Sequence, residues 1–173
     1  IVAYTTNLMK EGIKRAGASA DFISWTYGYR FWTEAQTEEF VHNCNDDICI
    51  LESFEEMGTN YQLGKDRLAV DYWLAYKGPS DIYKAAATTA EKENKNMYAK
   101  MQVCCSHELA TLPYIPVPGI LFDKFNTTIS GVMECWYFGN YPSLMSKAAG
   151  ELAFLHDFSD KQSFIENLAA IYC

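Results

Sequence analysis

Four times along this chain an apolar run of strand character ends in a cluster of Tyr, Trp and acidic residues, and a helical pattern follows. The strand ends are SWTYGYR (24–30), LESFEE (51–56), VCCSHE (103–108) and MECWYFGN (133–140). Strands that alternate with helices imply a parallel sheet with helical crossovers. Chemistry set repeatedly at the C-terminal ends of such strands is how a (β/α) barrel builds an active site. Four units amount to half of such a barrel, so the expected fold class is α/β, a TIM-like half-barrel. A doubly wound open sheet is the main rival. Two features favour the barrel. No glycine-rich phosphate loop follows any strand. The third strand also alternates Lys100, Gln102 and Cys104 with Met101, Val103 and Cys105, a polar face that a barrel lumen accommodates near its mouth.

The element pattern predicts a helix over 7–16 that stops at Gly17 and a strand over 21–27. Thr33 and Gln36 predict a capping box for a helix over 34–43. The second strand runs over 47–54. A long connection, 55–78, reads as an active-site loop with a short extra strand near 71–76. Pro79-Ser80 starts a helix reaching about residue 94, and the third strand covers 97–104. LATLPYIPVP (109–118) carries three prolines and reads as a stiff loop. A helix over 119–128, a strand over 131–137, a helix opened by Pro142 and another opened by Asp160 complete the pattern. The 173 residues fit one domain.

Composition narrows the partners. A net charge of −8 argues against a nucleic-acid backbone, which needs a basic surface. No membrane span or signal peptide pattern is present. The six cysteines form no CxxC and three fall in apolar strand runs. They read as reduced, buried thiols, which suggests a cytoplasmic protein. The three histidines lack metal-ligand spacing, so neither metal nor cofactor is expected. Asn126-Thr127-Thr128 matches a glycosylation acceptor, a triplet common by chance. Aromatics reach 15%, many in polar company, which suits either a core rich in rings or stacking platforms for sugars.

Among the carboxylates, Glu108 follows the third strand, beside the Pro-rich loop, where acid–base or nucleophilic work is done. A salt bridge or a helix cap would use it equally well. Glu55 and Glu52 lie on opposite faces of the second strand's end, and periodicity does not say which points inward. Two carboxylates flanking a bond are what glycoside hydrolysis needs, and Glu55 with Glu108 is the expected pair. Glu134 and Trp136 share one face of the fourth strand, an acceptor beside a platform, with Met133 and Cys135 expected on the helix side. The equal alternative for Glu134 is a pair with Lys100 across a lumen. Tyr27, Tyr29 and Arg30 close the first strand, Asp71 sits in the long loop, and His107 and Asn140 flank the remaining strand ends.

FEEMGT (54–59), VDYWLAYKGPS (70–80), KMQVCCSHELATLPYIPVP (100–118) and GVMECWYFGNYPS (131–143) together give a resemblance. This stretch resembles bacterial (β/α)-barrel proteins classed as glycoside hydrolases, distantly similar to family 20 β-N-acetylhexosaminidases. The resemblance implies the C-terminal half of a barrel, a carbohydrate substrate and glycosidic hydrolysis. It places Glu108, Glu55 and Trp136 on motif positions. Relatives tend to have Trp where His107 stands, and a small residue before the motif's Trp, near which this chain has Glu134. The adjacent Asp–Glu pair of the family 20 enzymes is unmatched, so catalysis assisted by an N-acetyl group is not implied. The partner expected for the chain is the missing N-terminal half of the barrel or a second copy. The alternatives are a carbohydrate-binding barrel without catalysis, or an incomplete structural piece.

Overall fold

The computed structural model describes residues 1–28, 31–69, 76–103, 116–126, 131–135, 144–154 and 158–172. The order is α1 (Val2–Arg15), β1 (Phe22–Trp25), α2 (Glu34–Asn43), β2 (Ile48–Ser53), β3 (Gly58–Gln62), β4 (Lys65–Ala69), α3 (Asp81–Lys92), β5 (Met97–Gln102), α4 (Pro116–Phe125), β6 (Gly131–Cys135), α5 (Leu144–Phe154) and α6 (Lys161–Tyr172). Four strands form a wholly parallel sheet in the order β1-β2-β5-β6. The order is consecutive, with no reversal. A doubly wound sheet reverses at a switch point and puts helices on both faces. Here one face takes the helices. Ile48 and Ile50 of β2 with Phe54 just beyond it, and Met97, Ala99 and Met101 of β5 with Val103 just beyond it, join residues of all six helices in one buried cluster.

Local chemistry explains the helix ends. Thr33 caps α2 with the expected box: Gln36 N–H donates to Thr33 Oγ1 at 3.3 Å and Thr33 N–H to Gln36 Oε1 at 2.9 Å. Ser80 Oγ accepts from Tyr83 N–H at 3.2 Å and opens α3. Asp160 Oδ1 does the same for Ser163 N–H at 2.8 Å at the start of α6. At the other end of α2, the buried Lys95 ammonium donates to the carbonyls of Val41, His42 and Cys44 at 2.7, 2.9 and 2.8 Å. Helix C-termini leave carbonyls without intrahelical partners, and a cation there answers both the hydrogen bonds and the dipole.

Three expectations change. The helix expected over 7–16 begins at Val2. The connection after β2 is not an irregular loop throughout, for it holds the antiparallel β3–β4 hairpin. Its two-residue turn has Leu63 at φ 52° and Gly64 at φ 78°, the left-handed pair a type I′ turn requires. Leucine is a poor residue for that position, which is why the turn carries little sequence signal. Pro116 and Pro118 lie inside the first turn of α4, where a missing N–H breaks no bond. Residues 70–75 and 109–115 lie outside the described residues.

Replacing Lys95 by Met should lower stability by about 2–3 kcal/mol, the scale for hydrogen bonds from a charged donor. Thermal unfolding checks this; an unchanged midpoint would mean that water satisfies those carbonyls.

Candidate functional site at the C-terminal end of the sheet

The strand face away from the helices is organised in rungs. Trp25, Leu51, Tyr98 and Gly131 share one rung, and Ser53, Lys100 and Met133 share the next. The strand pleat then brings Gln102 and Glu55 together above them. Toward the N-terminal ends this face is apolar and open, with Ile23 49% and Tyr98 37% exposed; Met133, at the β6 edge of the Ser53–Lys100 rung, is 40% exposed. Gly131 leaves room for the Tyr98 ring, which a β-carbon would meet at 3.0 Å. Toward the C-terminal ends the face is polar and closed. Ser53, Lys100, Gln102 and Glu55 are all buried.

Glu55 ties this end together. Its Oε1 accepts from Lys124 Nζ of α4 at 2.7 Å and from Gln102 N–H of β5 at 2.9 Å. The carboxylate takes the backbone donor just where β2 leaves the sheet. It therefore continues the β2–β5 ladder, whose last backbone bond runs from Phe54 N–H to Lys100 O at 2.9 Å. The chain then turns sharply, with Met57 at φ 61° and Gly58 N–H bonded to Glu55 O at 3.0 Å. That turn sends adjacent Glu55 and Glu56 inward, both buried.

Glu52 points the other way, onto the helix side, as its alternation with Ile50 requires. It lines a narrow crevice with Thr26, Trp32, Thr37 and Glu56. Ser53 N–H donates to its Oε1 at 2.9 Å. Burial pushes the Glu52 carboxyl up to about 7, with the nearby Glu56 adding to the rise and hydrogen bonds from Thr26 and Ser53 opposing it. Sequence reasoning noted Glu52 without selecting it. Its signal was the apolar parity of Ile48, Ile50 and Phe54, which puts an acid among core residues.

Of the expected site residues, the described set holds Tyr27, Glu55 and Glu134. Tyr27 stacks on Trp25, ring centroids 4.6 Å apart at 26°, and Lys100 Nζ stands 5.6 Å from the Tyr27 centroid. One Tyr27 face is thus taken by an indole, and the ring also attracts a buried cation. Glu134 falls on the face opposite to the expected one. It pairs in register with Met101, and its neighbour Val132 packs against the helix-side core. Met133 instead shares the face of Lys100. The two-residue period leaves parity open, and register with β5 decides it. Tyr29, Arg30, Asp71, His107, Glu108, Trp136 and Asn140 lie outside the described residues.

Among the described residues no group of His, Cys, Asp and Glu is arranged to hold a metal, and no helix is long and apolar enough to cross a membrane. Burial raises the Cys44 thiol to about 11, which makes it unreactive. Searches against models of protein families, curated proteins and solved structures find no match to this chain.

Two outcomes follow. Lys124→Met should cost about 3–5 kcal/mol of stability, because it strands a buried carboxylate; chemical denaturation measures it. Glu52 keeps its proton in the fold to higher pH than in the unfolded chain. Its contribution is therefore fully present below about 4.5, its ordinary value, and is lost as pH rises through about 7. Stability of the wild type should fall by roughly 3 kcal/mol between pH 4.5 and 8 from this group. Glu52→Gln should flatten that part of the curve, and an unchanged slope would assign it elsewhere.

Proposed function

We propose that this chain is the C-terminal half of a (β/α) barrel that hydrolyses glycosidic bonds at the C-terminal ends of its strands. The observation that carries the reading is the consecutive parallel order, helices on one face, with buried carboxylates gathered where β2 ends. Consecutive strands with one-sided helices are the local geometry of a barrel wall, and barrel enzymes work at that end. The resemblance of residues 54–143 to glycoside hydrolases adds the reaction class.

Two carboxylates divide the work in such hydrolysis: one stays an anion and the other transfers a proton. Sequence reasoning alone takes Glu108 as nucleophile or general base and Glu55 as the acid or its partner. Its ion pair with Lys124 and its bond from Gln102 N–H favour the anion's part instead. Glu108 then serves as the proton-transferring partner, with Trp136 as a sugar platform. A carbohydrate-binding barrel without catalysis is the second reading, favoured by how deeply Glu55 is sealed. The exposed apolar side chains of Ile23, Tyr98 and Met133 fit a wall completed by further strands, from the other half of the barrel or from a second copy.

In the full-length protein, Glu108→Gln should reduce hydrolysis of an accepted aryl glycoside by a factor of about 100 or more while leaving far-UV dichroism unchanged. Wild-type turnover in that variant would reject the assignment. Saturable binding with no turnover by either protein would select the binding reading. Sedimentation of the isolated chain should show self-association, and a well-behaved monomer would argue against the half-barrel.

A further inference from the structure

The base of the β3–β4 hairpin rests on two buried acids. Among the described strands β3 and β4 pair only with each other, and Tyr61, Leu63 and Leu68 are exposed, so the hairpin has little support along its length. Its base is held more closely. Glu56 and Met57, which lead into β3, line the crevice that also holds Glu52, together with Thr26 beyond β1, Trp32, Thr37 of α2 and Ile82 of α3. Met57 N–H closes the hairpin by donating to Ala69 O at 2.7 Å, and Gly58 N–H donates to Glu55 O at 3.0 Å. The Tyr76 ring covers Gly58 so closely that a β-carbon there would stand 2.2 Å from it. The crevice itself measures about 10 Å³, room for one water at most.

We propose that Glu52 is a pH-sensitive latch for the hairpin: protonated, it bonds to Thr26 and keeps the crevice closed, and ionised, it opens the crevice at the turn over 56–58. The Thr26 hydroxyl supplies the coupling. It has one hydrogen, which goes to Leu51 O at 3.3 Å, and it is also bonded to the Glu52 carboxyl. With that hydrogen on Leu51, the second bond needs the proton on Glu52. An ionised carboxyl only accepts, so Thr26 must then turn its hydrogen to Glu52 and let Leu51 go. The size of the crevice sets the rest. A carboxylate has about four acceptor sites, and one water cannot serve all those that Thr26 and Ser53 leave open. Hydration of the anion therefore moves a wall. The walls from β2, α2 and α3 are anchored in the buried core through Ile50, Phe40 and Tyr83, whereas no residue of the turn over 56–58 belongs to it. The groups around Glu52 favour the closed form. Glu56, from the turn, is a like charge. Tyr83, from α3, stays neutral because burial, then Glu52, pushes its hydroxyl up to about 12. The strand β1 and the helix α2 present the uncharged Thr26 and Thr37. Burial above all sets the Glu52 carboxyl at about 7, so the latch responds near neutrality. It depends on neither a ligand nor hydrolysis.

Amide hydrogen exchange, read by NMR and corrected for the intrinsic rate, tests the latch. From about pH 6 to about pH 8 the protection of the Met57 and Gly58 amides should fall about tenfold, the linkage expected of one carboxyl that ionises at 4.5 when open and about 7 when closed. Both amides should also stay less protected than that of Ile50, which bonds to Asn96 O at 3.0 Å in the core. Glu52→Gln, which keeps the shape of the neutral acid, should abolish the fall. The latch is overturned if Met57 and Gly58 keep their protection across that range, or if the fall persists in Glu52→Gln. It is also overturned if both amides are as protected as Ile50, because the turn would then open only with the whole fold. The wild type alone decides the matter should the variant fail to fold. In it the Glu52 carboxyl carbon and the Met57 and Gly58 amides should titrate with one midpoint at about 7, and separate midpoints would overturn the proposal.

Discussion

The buried carboxylate of Glu55 joins three parts of the chain. Through Oε1 it accepts from α4 by way of Lys124 and from the end of β5 by way of Gln102 N–H, and its own backbone belongs to the end of β2. Removing two charges from water is costly, and the pair repays that cost only with good geometry and further hydrogen bonds. Both conditions hold at Oε1. The pair therefore fixes where the two central strands end, and the turn at Met57 follows from it. The β3–β4 hairpin and the start of α3 attach directly beyond: Met57 N–H bonds to Ala69 O at 2.7 Å and Ser80 N–H to Phe54 O at 2.9 Å.

The face of the sheet away from the helices inverts the usual rule. On it Ile23, Tyr98 and Met133 are partly exposed and Leu51 is buried, while the polar Ser53, Lys100 and Gln102 are buried. A sheet that merely turned a free side to water would show polar residues along that whole face. A barrel wall gives both halves of the pattern a reason: apolar packing in the lower lumen and polar groups at the mouth. The carbohydrate reading rests on the polar half.

Much of this architecture could be read in the chain. The alternation of apolar runs with capped helices located all four parallel strands, and the Thr33–Gln36 box marked α2 to the residue. Caps and hydrophobic period are local signals, so they survive without tertiary information. What failed was set by long-range contacts. The hairpin turn at Leu63-Gly64 adopts a left-handed pair that its residues do not advertise. The face of Glu134 depended on register with Met101, which no single strand encodes. Glu55 was legible as a carboxylate at the right end of a strand. Its partner Lys124 is 69 residues away, so that pairing was not.

The most direct test of the account is the side-chain amide signal of Gln102 in a ¹⁵N–¹H correlation spectrum, assigned with the Gln102→Leu variant, during titration with a neutral methyl glycoside. If the closed polar end of the sheet is a carbohydrate site, the Gln102 amide pair should shift and saturate, while the exposed side-chain amides of Gln36 and Gln162 stay in place. A Gln102 signal that never moves under conditions where the protein binds the glycoside would contradict the account, and so would a shift shared equally by Gln36, Gln102 and Gln162.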